Sequence, residues 1–221
     1  MVFCHCDFPV SIDNEYLLQA NRAQTGSECD SFTVERYRQF AKYFPQGARH
    51  VLDVGGGTGR GGRELKRLLP QLSLTGLDCV PERVASMDTG VYDAKICAFA
   101  DAIPLADESV DVIVAGEFIE HVPGPKIEPT INEFFRVLRL KGRLLLTTPN
   151  PDYLRNRLQG LSVISDSAHV SQHYPKILRL RFLMAGFSKV QIKGSGKVSR
   201  FLGTCFPLRL YGSYLCVATK W

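Results

Sequence analysis

The sequence lacks any apolar run that approaches the ~20 residues needed for a bilayer-spanning helix. Its start, MVFCHCDFPVS, also lacks the basic region and apolar core of a secretory signal. Internal repeats and low-complexity tracts are absent as well. These absences predict a globular, cytoplasmic protein without stable membrane insertion.

The cysteines form no recognisable metal or disulfide pattern. There are seven, an odd number, and several lie in apolar runs, which favours reduced and buried thiols. Cys4, His5 and Cys6 look like a zinc-binding fragment, but a structural zinc site needs four ligands and no second fragment is present. We therefore interpret this tripeptide as incidental.

Length and charge are those of one soluble domain. A chain of 221 residues with 45% hydrophobic and 22% charged residues is long enough for one α/β core and short for two. The 27 basic residues are interspersed with 22 acidic ones and give a net charge of +5. This mild excess fits an anionic cofactor, an acidic substrate or a phosphate-bearing partner, and does not by itself indicate nucleic acid.

Hydrophobic periodicity predicts an α/β fold for residues 31–221, after an N-terminal arm of residues 1–30 that is mobile or covers the substrate. Strands and helices alternate with short connections, which predicts a doubly wound, mostly parallel seven-stranded sheet with helices on both faces, a Rossmann-like arrangement. The predicted strands are 51–54, 72–77, 95–100, 110–116, 143–147, 189–193 and 211–219, and the helices are 31–44, 64–69, 81–87, 129–138 and 174–185. Residues 152–172 are too long for a simple connection and are predicted to be a substrate-covering loop.

Polar and glycine-rich segments follow the predicted strands at the edge where ligands bind in such sheets. After the first strand comes GGGTG, whose glycines permit positive φ angles and close approach of a ligand to the backbone. Asp78 and Asp101 follow the second and third strands, and Glu117 to His121 follow the fourth. We expect these residues to converge on one crevice.

The chain resembles the class I S-adenosylmethionine-dependent methyltransferases over residues 51–187. The resemblance rests on Asp53, Gly55, Gly57 and Gly59 around the first turn, on Asp78, and on Asp101 with Ala102. It implies that the glycines approach the methionine part of S-adenosylmethionine, that Asp78 binds the ribose hydroxyls and that Asp101 accepts from the adenine amino group. It also implies that Asp53 and Ala102 contact the cofactor. Leu140 and Lys141 depart from the proline and glycine that are commoner there.

Two other interpretations of the glycine turn stay open. Gly57, Gly59 and Gly62 also satisfy G-x-G-x-x-G, and Asp78 lies at about the offset expected of a nicotinamide-binding oxidoreductase. A nucleotide-binding module without catalysis is the other alternative. The further acids after the third and fourth strands favour the methyltransferase.

The sequence EFIEH predicts a metal site. If Glu117, Glu120 and His121 form one helical turn before Pro123, they lie on one face and can chelate a divalent cation, with Glu117 also close to the cofactor. A cation bound there would lower the pKa of an acceptor hydroxyl and fix its position.

The E-x-x-E-H motif resembles two families, the terminal small-RNA 2′-O-methyltransferases and the ubiquinone-pathway O-methyltransferases. Both resemblances imply a magnesium or similar ion on the two glutamates and the histidine, and the RNA family adds a later histidine. Here His169 is our choice for that ligand, with His173 as the fallback, and manganese or iron(II) also suits such a donor set. The alternative is metal-free catalysis with His121 or His169 as the base.

A chelated acceptor would present two adjacent oxygens. We therefore predict methyl transfer to a sugar or glycan hydroxyl, which includes a lipid-linked one, with a catechol or a terminal ribose as alternatives. An aromatic-studded basic segment is lacking, which makes nucleic acid the less favoured partner.

Overall fold

The computed structural model describes residues 14–23 and 32–221. Cys4, His5 and Cys6 lie outside these ranges, as does residue 31, the first residue of the helix predicted over 31–44. Within the predicted arm, helix α1 (Asn14–Arg22) is held to the domain by an ion pair between Arg22 and Glu82 with an N–O distance of 2.8 Å.

Seven strands form one sheet in the order β3-β2-β1-β4-β5-β7-β6, which confirms the predicted fold class. All neighbouring pairs are parallel except the two made by β7, which runs antiparallel to β5 and to β6. The strands are β1 (His50–Val54), β2 (Ser73–Asp78), β3 (Ala94–Cys97), β4 (Val110–Gly116), β5 (Leu138–Pro149), β6 (Lys189–Ser195) and β7 (Ser213–Thr219).

Helices cover both faces of the sheet and build a core on each. On one face Phe134 and Phe182 are fully buried, and on the other Phe40 and Leu65 are fully buried. After α1 the helices are α2 (Thr33–Ala41), α3 (Arg60–Leu68), α4 (Pro81–Ser86), α5 (Gly124–Val137), α6 (Leu154–Leu158), α7 (Pro175–Met184) and α8 (Ser199–Leu202), and short 3₁₀ turns span Ile119–His121, Val163–Ser165 and Leu208–Leu210.

Helix α5 begins five residues before its predicted start. The sequence predicts that this helix begins at Pro129, but Pro129 lies inside the helix. The N-cap residue is Pro123, which has an extended backbone conformation. Pro125 occupies the first turn, where its missing N–H costs no intrahelical hydrogen bond. The sequence from Pro123 onward is thus compatible with a helix N-terminus, and Pro129 removes a single backbone hydrogen bond.

None of the helices within 14–23 and 32–221 is long and apolar enough to cross a membrane.

Two helical glycines give a matched test of the packing beneath α3. A Cβ atom on Gly61 would lie 2.1 Å from Cζ of the Tyr37 ring, whereas one on Gly124 would meet nothing within 4 Å. We expect Gly61→Ala to lower the free energy of unfolding by about 1–3 kcal/mol or more. Gly124→Ala should leave it unchanged or raise it by up to about 1 kcal/mol. Urea denaturation of both variants measures this difference, and equal stabilities would contradict the packing described.

Candidate active site

A cavity of about 800 Å³ opens at the carboxyl ends of the parallel strands. Most residues that the sequence analysis assigned to the site lie in its lining: Gly55, Gly57, Asp78, Asp101, Glu117, His121 and His169. Helix α1 contributes Leu17 and Asn21 to the same lining. The structure therefore places the glycine turn, the two strand-end aspartates and the histidines around one space.

Asp53 lies beneath the glycine turn and does not face the cavity. Its side chain is fully buried, and its two carboxylate oxygens accept hydrogen bonds from the hydroxyls of Tyr37 at 2.5 Å and Tyr92 at 2.6 Å. The expectation that Asp53 touches the cofactor is thus corrected, because both oxygens are occupied by tyrosines. Burial raises the pKa of this carboxyl to about 6, against the lowering effect of the two hydrogen bonds.

The glycines of the turn are required both by the backbone conformation and by the packing of neighbouring side chains. Gly55, Gly57 and Gly59 have φ angles of 67°, 55° and 85°, a region that favours glycine. A Cβ on Gly59 would lie 2.7 Å from the ring of Tyr92, so this glycine makes room for the tyrosine. Gly59 and the exposed Ala102 lie outside the cavity lining, whereas the sequence predicts that both contact the cofactor.

The two strand-end aspartates are held by different partners. Asp78 accepts hydrogen bonds from the backbone N–H of Val80 at 2.9 Å and of Gly57 at 3.2 Å, and burial raises its pKa. Asp101 forms an ion pair with Lys126 at 2.6 Å. Asp78 thus holds the glycine turn in place and also lines the cavity. Asp101 is paired with the ammonium group of Lys126.

The turn after β4 differs from the predicted single helical turn. Glu117 has a φ of 51°, which is uncommon for a residue other than glycine, and a 3₁₀ turn starts only at Ile119. The N–H of Glu117 still donates to the Thr147 carbonyl at 3.0 Å, so Glu117 ends the strand before the chain turns.

Glu117 therefore lies outside the cluster that Glu120 and His121 form with His169. Its Oε1 atom lies 3.6 Å from Nε of Arg36, and its Oε2 atom accepts a hydrogen bond from the Ser213 hydroxyl at 3.3 Å. The expectation that Glu117 joins Glu120 and His121 on one helical face is not met, because the left-handed conformation turns it toward Arg36.

Glu120, His121 and His169 do lie together, and each offers a ligand atom within 4.8 Å of the others. Nδ1 of His121 lies 2.8 Å from the Ala168 carbonyl oxygen, and Nδ1 of His169 lies 2.8 Å from that of Val163. Because a carbonyl oxygen only accepts, each Nδ1 carries a proton, and the lone pair of a neutral ring is on Nε2. Burial lowers the pKa of His121 to about 4, so this imidazole is neutral at pH 7.

The carboxylate of Glu120 is the unusual member of the cluster. It is fully buried, and neither of its oxygens has a donor in good hydrogen-bond geometry among the described residues. The Thr148 hydroxyl and the backbone N–H of Glu120 lie near enough to lower its pKa, but burial, and then the charge of Glu117, outweigh them and raise the pKa well above the ordinary value. A fully buried carboxylate beside two imidazoles is a donor set that fits a divalent cation.

His173, the alternative to His169 as a ligand, makes hydrogen bonds outside the cluster. Its Nε2 atom lies 2.9 Å from the Ser171 hydroxyl and 3.2 Å from the Ile119 carbonyl oxygen, and the side chain is buried. It holds the loop against the 3₁₀ turn and lies outside the metal-type cluster. Burial lowers its pKa to about 4, as for His121.

Sequence reasoning missed the partners of these groups. Tyr37 and Tyr92, which hold Asp53, are 16 and 39 residues away in the chain. Lys126 and Ser213, which contact Asp101 and Glu117, are likewise distant. None belongs to a motif, so a single sequence contains no signal that pairs them.

Residues 52–146 match a family described as a methyltransferase domain. Over less than half of its length, the chain is therefore similar to a methyltransferase domain. Its fold is similar to the crystal structure of an S-adenosylmethionine-dependent methyltransferase from Archaeoglobus fulgidus, with a TM-score of 0.67 and 19% identity over 94% of this chain and 100% of that one. The family match favours the methyltransferase interpretation of the glycine turn over the nicotinamide alternative.

Two curated relatives are O-methyltransferases. The chain is 31% identical over 134 residues to the malonyl-[acyl-carrier protein] O-methyltransferase of Laribacter hongkongensis. The matched part is 55% of this chain and 44% of that protein. It is 33% identical over 120 residues to the mitochondrial ubiquinone biosynthesis O-methyltransferase of Mus musculus, which is 50% of this chain and 31% of that protein. The chain thus spans less than half the length of these two relatives.

The buried Asp53 predicts a pH-dependent contribution to the stability of the protein. Its pKa of about 6 in the folded state exceeds the ordinary value of 3.8, so the folded state binds the proton more tightly than the unfolded chain. The resulting stabilisation is complete below about pH 4 and is lost as the pH rises through 6. Relative to Asp53→Asn, the wild type should gain up to about 3 kcal/mol between pH 7 and pH 4.

Urea denaturation at several pH values measures this difference. Asp107→Asn, at a side chain that is 75% exposed, is the matched control and should track the wild type. A stability difference between the wild type and Asp53→Asn that does not change with pH would contradict the raised pKa.

Proposed function

We propose that this chain is an S-adenosylmethionine-dependent O-methyltransferase in which Glu120, His121 and His169 hold a divalent cation, magnesium or manganese. The observation that carries the proposal is the fully buried carboxylate of Glu120, which lies beside two imidazoles whose Nδ1 atoms are directed to backbone carbonyls. The names of the two curated relatives, both O-methyltransferases, support oxygen as the acceptor atom.

The cofactor would bind between the glycine turn and the strand-end aspartates. S-adenosylmethionine supplies a methyl group on a sulfonium, which is already a good electrophile. Gly55 and Gly57 leave the backbone open to it, Asp78 is placed to accept from the ribose hydroxyls, and Asp101 is our candidate for the adenine amino group. Asp53 acts from beneath, through the position of the turn, and Glu117 lines the cavity between the turn and the cluster.

The acceptor must lose a proton as it attacks, and an alcohol holds that proton tightly near neutral pH. A divalent cation supplies positive charge that lowers the pKa of a hydroxyl bound to it. The chain itself fixes the imidazoles, because the carbonyls of Ala168 and Val163 keep each Nδ1 protonated and each Nε2 available. The buried Glu120 supplies the negative charge that such a cation needs.

A second mechanism is favoured by one specific observation. His121 is neutral at pH 7, because its pKa is lowered to about 4, and its Nε2 lone pair is available to accept a proton. The same residue therefore suits a metal-free reaction in which His121, or its neighbour His169, is the base. The two mechanisms share their residues and differ in their response to a chelator.

For the acceptor we propose a molecule with two adjacent oxygens. A sugar or glycan diol is our first choice, and a catechol or a terminal ribose are the alternatives. A chelating pair of oxygens would use two positions of the cation and hold the reacting hydroxyl in place.

Binding of S-adenosylmethionine tests the cofactor site. Isothermal titration calorimetry should show binding to the wild type and at least about tenfold weaker binding to Asp78→Asn, since one charge-assisted acceptor is removed. Asp107→Asn is the surface control and should bind as the wild type does. Absence of binding to a folded wild-type protein would overturn the enzyme proposal.

Manganese binding, followed by electron paramagnetic resonance, tests the cluster without any acceptor. The wild type should bind the ion, and Glu120→Gln should bind it at least about tenfold more weakly, because a ligand charge is lost. Glu128→Gln, at a side chain that is 59% exposed, is the matched control. Equal manganese binding by the wild type and Glu120→Gln would remove the metal site from the proposal.

A labelled methyl donor, used with and without manganese, then screens nucleotide sugars, catechols and short RNAs. Full activity in excess EDTA, lost in His121→Ala, would leave only the base mechanism.

A further inference from the structure

Acidic and basic residues are distributed unevenly along the chain, and the description of them as interspersed does not capture this. Twenty of the 22 acidic residues lie in residues 1–133, and 15 of the 27 basic residues lie in residues 134–221. The first part has a net charge of −8 and the second a net charge of +13. After residue 133 the acidic residues are Asp152 and Asp166, so residues 167–221 contain none.

The fold brings two segments of this positive part to the cavity mouth. Residues 153–164 follow β5, and residues 197–210 connect β6 to β7, so both lie at the edge where the cavity opens. Tyr153, Asn156, Lys197 and Val198 belong to the cavity lining. Helix α6 in the first segment contacts the 3₁₀ turn Leu208–Leu210 in the second. We call these two segments together the entrance surface.

The entrance surface exposes large apolar side chains to an unusual degree. Leu158 is 79% exposed and Phe201 is 87% exposed, each on a short helix. Four more apolar side chains of the surface are exposed: Leu154, Leu161, Ile164 and Phe206. Exposed cations stand among them in sequence: Arg155, Arg157, Lys197, Arg200 and Arg209.

From this pattern we propose that the entrance surface docks the protein on an anionic phospholipid membrane. Leucine and phenylalanine on short helices suit insertion at the boundary between headgroups and acyl chains, and neighbouring lysine and arginine suit anionic headgroups. Two carboxylates beside the surface are paired with its cations, Asp152 with Arg157 at 3.7 Å and Glu35 with Arg200 at 3.3 Å, while Asp166 lies in the cavity lining. The net positive charge of the surface complements a negatively charged bilayer.

Nucleic acid fits this surface less well. Single-stranded nucleic acid is bound by aromatic platforms that stack bases along a basic groove. Here four of the six exposed apolar side chains are aliphatic, and they have no planar face on which a base can stack. The membrane is therefore the partner that accounts for both the charge and the aliphatic side chains.

Docking by this surface would turn the cavity mouth toward the bilayer. The catalytic cavity would then receive an acceptor from the membrane surface. The docking proposal itself needs neither the cation nor methyl transfer, so its failure and that of the proposed function are distinguishable.

Vesicle flotation of the full chain tests the proposal. The probes are vesicles of phosphatidylcholine alone and of phosphatidylcholine mixed with phosphatidylglycerol. We expect binding to the mixed vesicles that weakens as salt rises, since the attraction to headgroups is screened. Arg155→Gln with Arg157→Gln, and separately Leu158→Ser with Phe201→Ser, should each weaken binding at least about tenfold.

The matched control is Leu140→Ser with Lys141→Gln, an exposed apolar and basic pair at the opposite edge of the sheet, where Leu140 is 60% exposed. It should bind vesicles as the wild type does, and all variants should keep the wild-type melting temperature. Failure to bind either vesicle, equal binding to both, or unaltered binding by the entrance variants would overturn the proposal. Binding to a short RNA in place of vesicles would also overturn it.

Discussion

The glycine turn, and with it the cavity, depends on one buried carboxylate held by two tyrosine hydroxyls. Asp53 on β1 accepts from Tyr37 on α2 and from Tyr92 in the segment before β3, so three distant parts of the chain are joined beneath the turn. The tyrosine rings also occupy the space where Cβ atoms would project from Gly59 and Gly61. The turn therefore requires glycine for two reasons: the positive φ angles above and the aromatic rings below.

The second constraint is electrostatic. The carboxylate of Glu120 is fully buried, and the charge of Glu117 raises its pKa further, so this arrangement costs free energy unless a proton or a cation is present. Glu117 adds backbone strain through its left-handed conformation. Costs of this kind at a cavity wall are a common property of functional sites. They are the physical basis for assigning the cluster a chemical role, and they distinguish it from His173, whose hydrogen bonds hold the loop in place.

The sequence predicts most of the fold because apolar strands alternate with helical stripes, and strand ends carry glycine or acid. The same reasoning places Asp78, Asp101 and His121 correctly at the cavity, since position after a parallel strand fixes the edge of the sheet. It fails for Asp53 and Glu117, because side-chain direction depends on partners and φ angles that no local pattern encodes. The predicted start of α5 at Pro129 is wrong for a related reason, because a proline inside a helix weakens the helix without preventing its formation.

The loop that carries His169 is joined to the 3₁₀ turn of Glu120 through its backbone. The N–H groups of Val170 and Ser171 both donate to the Glu120 carbonyl, while loop carbonyls set the tautomers of His121 and His169. Because Val163 and His169 belong to the same loop, the loop fixes the tautomer of His169 by itself. His121 belongs to the turn after β4, so its tautomer is fixed only by the packing of the loop against that turn. The same backbone contacts that position the loop therefore decide which nitrogen of His121 carries the proton.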